Sequence, residues 1–516
     1  MEPPRPPTEH ECEWFYNGLP SRPKLVARSS LTPFRFGIDG RSSDLKTLTV
    51  VGDHAIVDKW NDEHSPLRNQ ILGILRLQKV DWHAMDVLRI GYTGDEMPVI
   101  VSISVAKNTL SCEVGNQVAW DCRNALLEHG LYDVHCEVKE SNLLTLASAP
   151  AVLRQDSHQI PPYYYSYMYQ LSDQLGTSIA SLDQPRREGT KGIYLRRTGG
   201  DPAEIFALTC RHVCYDESET GCLLPREESL PSKPVIQLPD KTKSQLMTEL
   251  EGRKTEAIQR IQAEKDKGEC YDNEGDRRSA KLARYQQTIA KTESFLQYFA
   301  HRKALETRVF GHVAYAREYA VQDSKFLSDW CLIRLKADSH ERRLSELSNR
   351  VYVEGQDLKA RFQARTSSEI RDLDHDGTLQ IKGIVAVSEL QDSKTNLIVG
   401  MRGRTSGLKF GLFNQVLSVT RRPFKNGLEL VSQEGCIVAI NAGKTFTKPG
   451  DSGACVFDLE GRAVGMVTGG INRNDTPEAD LWKHFGLEKE VDVTYTTPME
   501  WLLKDMKACG LSLEIV

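Results

Sequence analysis

The sequence predicts an α+β multidomain protein in which a small α/β unit precedes a larger all-β domain interrupted by a helical hairpin. Three observations carry this: a strand–helix–strand pattern between about 85 and 145, short strands punctuated by glycine from about 173 onward, and a highly charged, helix-periodic segment at 241–306. At 516 residues the chain exceeds one ordinary core and should divide into about two to four units.

Residues 1–35 carry Pro3, Pro4, Pro6, Pro7, Pro20, Pro23 and Pro33, which fix φ and remove donors, so this segment is expected to be disordered or loosely draped. An α/β N-terminal domain is expected over 36–150. Its strand MPVIVSISVA (97–106) precedes a helix with Val118, Cys122, Ala125 and Leu126 on one face and Gly130 as a stop. DVHCEVKE then alternates Val134, Cys136 and Val138 as a second strand, and His135 reads as structural. A linker is expected at 151–172, whose tyrosine-rich PPYYYSYMYQ (161–170) suggests either a stacking surface for bases or glycans or, the favoured expectation, packing of the linker against a domain.

From 173 to 516 the pattern is all-β, as in TKGIYLRRTGGDPAEIFALTC with its GGD turn. Within 241–306, Leu246, Leu250, Ile258 and Ile261 form one apolar stripe and Leu282, Tyr285, Ile289, Leu296 and Phe299 another. GECYDNEGD supplies a turn, so two helices fold back on each other. Because the stripes satisfy each other, the hairpin is expected to add little to the β core. Its use is as a solvated insertion or as a docking arm for a protein partner.

Composition excludes several function classes. Net charge is −5, with Lys and Arg spread along the chain, so no basic face for nucleic acid or an anionic membrane is expected. The start, MEPPRPPTEHECEWF, has no apolar stretch behind a basic flank, and no uncharged apolar run of about 18 residues follows. Twelve cysteines lie scattered without CxxC pairs, which reads as reduced buried thiols and an intracellular, cytoplasmic or nuclear setting. The expected partners are protein or peptide substrates, with no cofactor.

Chemistry is concentrated in three places. In TKPGDSGACVF, Ser452 stands between glycines, where small neighbours expose a hydroxyl and let the Gly450 and Ser452 N–H groups converge on an oxyanion. A serine needs a base, and of 13 histidines His212 alone ends an apolar strand and enters a turn, in IFALTCRHVCYDE. The histidine in turn needs a buried acceptor, and Asp329 in LSDWCLIRL immediately precedes an alternating strand.

These residues resemble the chymotrypsin-like, or trypsin-like, serine protease family, in its intracellular, disulfide-free type. TCRHV, DWCLIRL and PGDSGA are similar to its histidine, aspartate and nucleophile motifs, in the same order. The resemblance covers roughly 173–505 and implies a chymotrypsin-like double β-barrel with His212, Asp329 and Ser452 as triad, acting as a serine endopeptidase through an acyl-enzyme. RGRTSGLKFGLFNQV (402–416) is similar to a strand pair of the second barrel. AVGMVTGG (463–470) resembles the strand that pairs with the substrate backbone. By resemblance Thr468, Gly469 and Gly470 flank the specificity pocket, Thr468 helps hold Asp329, and Phe446 forms an uncharged pocket floor suited to apolar or small P1 residues.

The departures are informative. The family's secreted branch has a cysteine directly after its histidine, where this chain has Val213. Relatives activated by cleavage pair a new N-terminus with the aspartate before the serine, yet residues 1–172 precede this barrel without a matching activation site, so Asp451 needs another partner. The long stretch between His212 and Asp329 is accounted for by the hairpin.

Two other signals are set aside. DLDHDGTLQIKG (372–383) begins like a calcium loop but ends on Gly383 where a bidentate glutamate is required, so a hairpin turn is expected and no metal site. Cys455 reads as a buried strand residue and not as a nucleophile. The alternative function is a catalytically inactive, protease-derived interaction or regulatory module.

Overall fold

The computed structural model describes residues 5–36, 44–145, 169–216, 233–266, 272–301, 306–321, 325–340, 342–353, 377–392, 394, 396–424, 427, 429–472 and 490–516. The tyrosine-rich run up to 168, the hairpin turn at 267–271 and the acidic positions 372–376 lie outside them.

The N-terminal part contributes β1 (Lys24–Arg28), β2 (Lys46–Thr49), β3 (Trp82–Tyr92), β4 (Val99–Val105), β5 (Val134–Glu140) and β6 (Asn142–Thr145). β4 and β5 are parallel, joined by the helix Cys112–Glu128. Ser111 caps that helix by accepting from the Val114 amide, and Val118, Ala119, Cys122, Ala125 and Leu126 turn inward. The strand–helix–strand expectation is therefore met.

The proline-rich start behaves differently from the expectation. Residues 9–14 form a helix, β1 pairs antiparallel with β5, and Phe15, Tyr16, Leu19, Leu25 and Val26 are buried. The prolines among the described residues flank these elements and do not interrupt them. Pro6 and Pro7 precede the helix and Pro23 precedes β1, positions where a missing N–H costs little.

The remaining strands are β7 (Ser178–Ser181), β8 (Glu188–Thr190), β9 (Tyr194–Arg197), β10 (Ile205–Thr209), β11 (Pro234–Gln237), β12 (Val309–Ala316), β13 (Cys331–Leu335), β14 (Arg350–Tyr352), β15 (Thr378–Gln380), β16 (Ile398–Gly403), β17 (Gly407–Pro423), β18 (Glu429–Ala439), β19 (Cys455–Asp458), β20 (Ala463–Asn472), β21 (Val493–Pro498) and β22 (Leu513–Ile515). Of these, β14 and β15 pair as a separate two-stranded sheet, and the others build a mixed α/β architecture around two large sheets. One is open, in the order β22-β9-β10-β13-β12-β11-β7-β8. In the other, β17-β16-β19-β20-β21-β18 closes on itself through the β17–β18 pairing. A core cluster running from Phe206 and Trp330 to Phe457 and Met466 joins residues of both sheets.

The N-terminal sheet is continuous with this ring. β17 is long enough to change partners: a register shift between Asn414 and Ser418 bends it, and beyond the bend Val419 and Thr420 pair with Met85 and Ala84 of β3. Buried polar groups seal the junction. Trp60 donates its indole N–H to the Leu417 carbonyl at 3.0 Å, and Asp86 accepts from Ser418 at 2.7 Å and from Tyr495 at 3.0 Å.

The charged segment forms the helices Asp240–Lys265 and Asp272–His301, which pack against each other. Its apolar packing concentrates at the base, where Leu250 and Phe299 bury with Leu238, while Ile258 is 48% exposed. The base is also tied to the β core. Thr242 donates to Glu188 at 2.6 Å and accepts from Arg404 at 3.0 Å, and Arg404 pairs with the buried Glu188. A hairpin independent of the β core is thus found only in its outer half.

Candidate active site

Local pairing brings the histidine and the aspartate together. β10 and β13 are antiparallel, with Thr209 opposite Cys331, so the residues leaving β10 meet those entering β13. The chain turns after Cys210 into the short helix Arg211–Cys214, and the His212 amide donates to Asp329 Oδ1 at 3.2 Å. His212 Nδ1 lies 2.6 Å from Asp329 Oδ2. His212 Nε2 lies 2.8 Å from Ser452 Oγ, which arrives from the turn before β19. All three side chains are buried. The three residues read from the sequence therefore form one hydrogen-bonded line.

The serine turn is fixed by its carbonyls. Those of Pro449, Gly450 and Ser452 accept from Thr405 Oγ1 at 2.8 Å, Thr190 Oγ1 at 2.9 Å and the Thr190 amide at 2.8 Å. Among the described residues no hydrogen bond runs from the Gly450 or Ser452 amide to a protein acceptor. Gly450 at φ +106° and Gly453 at φ +91° need glycine twice over: the left-handed backbone disfavours a Cβ, and one would strike Thr405 and Thr209 respectively.

Asp451 has the internal partners its sequence position required. Its carboxylate accepts from the amides of Thr405 at 2.8 Å, Ser406 at 3.1 Å and Lys448 at 2.8 Å. Burial nonetheless pushes its carboxyl above the usual carboxylate range, against the lowering effect of the hydrogen bonds from Ser406, Lys448 and Thr405. Asp329 ends at the opposite extreme. Burial pushes it up, but His212 beside it, and then Arg422, pull it down to about 2, which keeps it ionised.

Thr468 donates to the Tyr495 carbonyl at 3.4 Å, and among the described residues no hydrogen bond joins it to Asp329. Phe446 is buried in the cluster of Phe413, Ile437 and Val467. Gly469 and Gly470 lie on β20 and pair with Thr145 and Leu144 of β6. Cys455 is a buried strand residue whose thiol burial pushes up to about 12, away from a nucleophile's range.

Three contributors have no sequence signal. Arg422 Nη1 stands 3.8 Å from Asp329, brought there by the far end of β17. Thr190 ties the serine turn to β8. Cys210 donates its thiol to the Val467 carbonyl at 3.1 Å. Cys210, His212 and Asp329 offer ligand atoms within 4.8 Å of one another. Burial holds the thiol well above its usual range, however, and a protonated thiol spent on a carbonyl is a poor metal ligand.

No protein-family model matches the chain, and no curated protein matches it. Among solved structures, a chymotrypsin from Cellulomonas bogoriensis aligns over 40% of this chain and 75% of its own, at 16% identity and a TM-score of 0.23. That likeness is too loose to support an assignment. The arrangement of His212, Asp329 and Ser452 stands on its own distances. Among the described residues no helix is long and apolar enough to cross a membrane.

Proposed function

We propose that the chain is a serine endopeptidase of chymotrypsin-like type, with a double-barrel protease region over 173–516, and that it acts on protein or peptide substrates. The observation that carries this is the unbroken line from Ser452 Oγ through His212 to Asp329, at 2.8 and 2.6 Å. With Nδ1–H donated to the ionised Asp329, His212 presents the Nε2 lone pair to the serine hydroxyl. Attack of Oγ on a peptide carbonyl passes the serine proton to Nε2, and Asp329 stabilises the imidazolium. The Gly450 and Ser452 amides receive the oxyanion, His212 returns the proton to the leaving amine, and water resolves the acyl-enzyme by the same route.

The uncharged Phe446 suits apolar or small P1 residues over Lys or Arg. The outer half of the hairpin, rich in charge and free of the β core, serves as a docking arm for a protein partner. The ten cysteines among the described residues are all unbridged, which suits a reducing intracellular setting.

The experiment is turnover of a peptide library by the purified chain and by Ser452→Ala. Loss of the nucleophile should cost on the order of 10⁶ in kcat with circular dichroism unchanged. Equal cleavage by the two proteins would refute the assignment, and a strong preference for basic P1 residues would overturn the role of Phe446.

A further inference from the structure

We propose that β6 is docked in cis where the acyl-side strand of a peptide substrate would lie, so that the N-terminal unit occupies the chain's own binding edge. This rests on the serine endopeptidase reading above. It starts from the two sides of β20. On one side β21 pairs along Gly465–Ile471. On the other, β19 pairs only as far as Met466, opposite Cys455, and the Gly453 amide takes the Val467 carbonyl at 2.8 Å. Beyond Val467 that second edge has left the serine turn, and β6 fills it, with Thr145 opposite Gly469, Leu144 opposite Gly470, Leu143 opposite Ile471 and Asn142 opposite Asn472.

The polarity of β6 is what an acyl-side strand needs. A peptide attacked by Ser452 must bring its carbonyl carbon to Oγ and its oxygen to the Gly450 and Ser452 amides. Lying antiparallel on β20, it would run from Asn472 toward Val467, with its C-terminal end at the nucleophile. β6 runs that way, Asn142 being farthest from the serine turn and Thr145 nearest.

The fit is close. A Cβ on Gly469 would stand 2.7 Å from the Leu144 carbonyl oxygen, so glycine at that position is what lets a second backbone lie against the edge. Leu144 packs on the cluster of Phe446 and Val467, and Leu143 on that of Ile471 and Tyr495. Main-chain pairing supplies affinity and alternate side chains supply selectivity, which is how an exposed strand edge recognises an extended peptide. β6 is also anchored: it follows β5 after one residue, and the Ser141 amide is held by the Val105 carbonyl at 3.0 Å. The occupant chemistry is an extended segment with adjacent aliphatic side chains, and an external substrate of that class must displace it.

The test uses the full chain with Leu144→Pro, which removes a donor and resists strand pairing, and separately Leu143→Asp. Each is checked for fold by circular dichroism and for a live serine by a fluorophosphonate probe. A tethered strand acts at an effective concentration in the millimolar range, so releasing it should lower KM for an extended fluorogenic peptide by about tenfold or more at unchanged kcat. A cut in the wild-type chain close to Thr145, absent from Ser452→Ala, would be the same docking read by mass spectrometry. If wild type and either folded variant label at the serine yet share one KM, and no such cut occurs, the docking is refuted while the endopeptidase reading survives. If nothing labels, both fall.

Discussion

Asp329 and Asp451 are buried alike on either side of the serine, and their surroundings drive them in opposite directions. Asp329 faces His212 and Arg422, and charge holds it at about 2 despite burial. Asp451 is held by three backbone amides, and burial lifts its carboxyl despite them. The same side chain thus sits in two settings, as a charge against the histidine in one place and as a brace for the serine turn in the other. Whether a buried carboxylate serves chemistry or shape is set by what compensates it.

Neutralising the two should tell those settings apart. Asp329→Asn removes the charge and favours the wrong histidine tautomer, so kcat should fall on the order of 10⁴ while the thermal midpoint near pH 7 moves far less. Its ionisation also supports folding: a carboxyl held at about 2 against an ordinary 3.8 adds stability that is complete above about 4 and is lost as pH falls toward 2. Acid titration of unfolding should show that limb in wild type and lose it in the variant. Should Asp329→Asn keep near-wild-type turnover, the charge would have no catalytic role.

Asp451→Asn should combine a smaller kinetic loss with a larger structural one. An amide side chain has one acceptor oxygen for donors that now reach both carboxylate oxygens, so at least one buried N–H loses its partner. The expected costs are about 10²–10³ in kcat, as for loss of an oxyanion donor, and about 1–3 kcal/mol of stability. Kinetics and chemical denaturation read the two separately. A kinetic loss without destabilisation would make Asp451 a participant in chemistry and erase the contrast.

Glu434 sharpens the comparison as a third buried carboxylate. It accepts from Ser432 and Thr497 at 3.1 and 3.3 Å, and burial pushes it up to about 8 even with Arg422 nearby. A folded-state value above the unfolded one means stability is complete below about 4.5 and declines as pH rises through about 8. The decline should reach at most about 1.4 kcal/mol per pH unit, and Glu434→Gln should flatten it. An unchanged slope would remove Glu434 from the account.

The smallest effect is expected from the tip of the hairpin. Replacing 259–288 by a short Gly/Ser linker keeps Leu250, Phe299 and the Lys254–Glu293 pair at 2.6 Å, and loop-closure entropy changes by under about 1 kcal/mol. Thermal unfolding should barely move, whereas Thr242→Ala at the base should lower it measurably. Cleavage of small peptides should persist in the shortened chain, and equal cleavage of every protein substrate would remove the docking role.

What the sequence carried was local. The serine turn was legible because Gly450 and Gly453 stand where a left-handed backbone and close neighbours exclude a Cβ, and His212 because an apolar strand stops at Thr209. The helix Cys112–Glu128 announced itself by its spacing. Long-range pairing was not legible: nothing in Met85 or Val419 marks them as partners, and Arg422 reaches Asp329 only because β17 bends. The prolines of the first segment misled because composition does not record whether they flank or interrupt an element. The hairpin stripes marked both helices but not the attachment of Thr242, a single polar residue in a charged run.

The central claim is that Ser452 is an activated nucleophile. A fluorophosphonate probe added to the folded chain, followed by peptide mapping, tests it most directly. One covalent adduct on Ser452, absent after denaturation and in His212→Ala, is the expected result. No adduct on folded wild-type protein, or an adduct on Ser452 that survives loss of His212 undiminished, would contradict it.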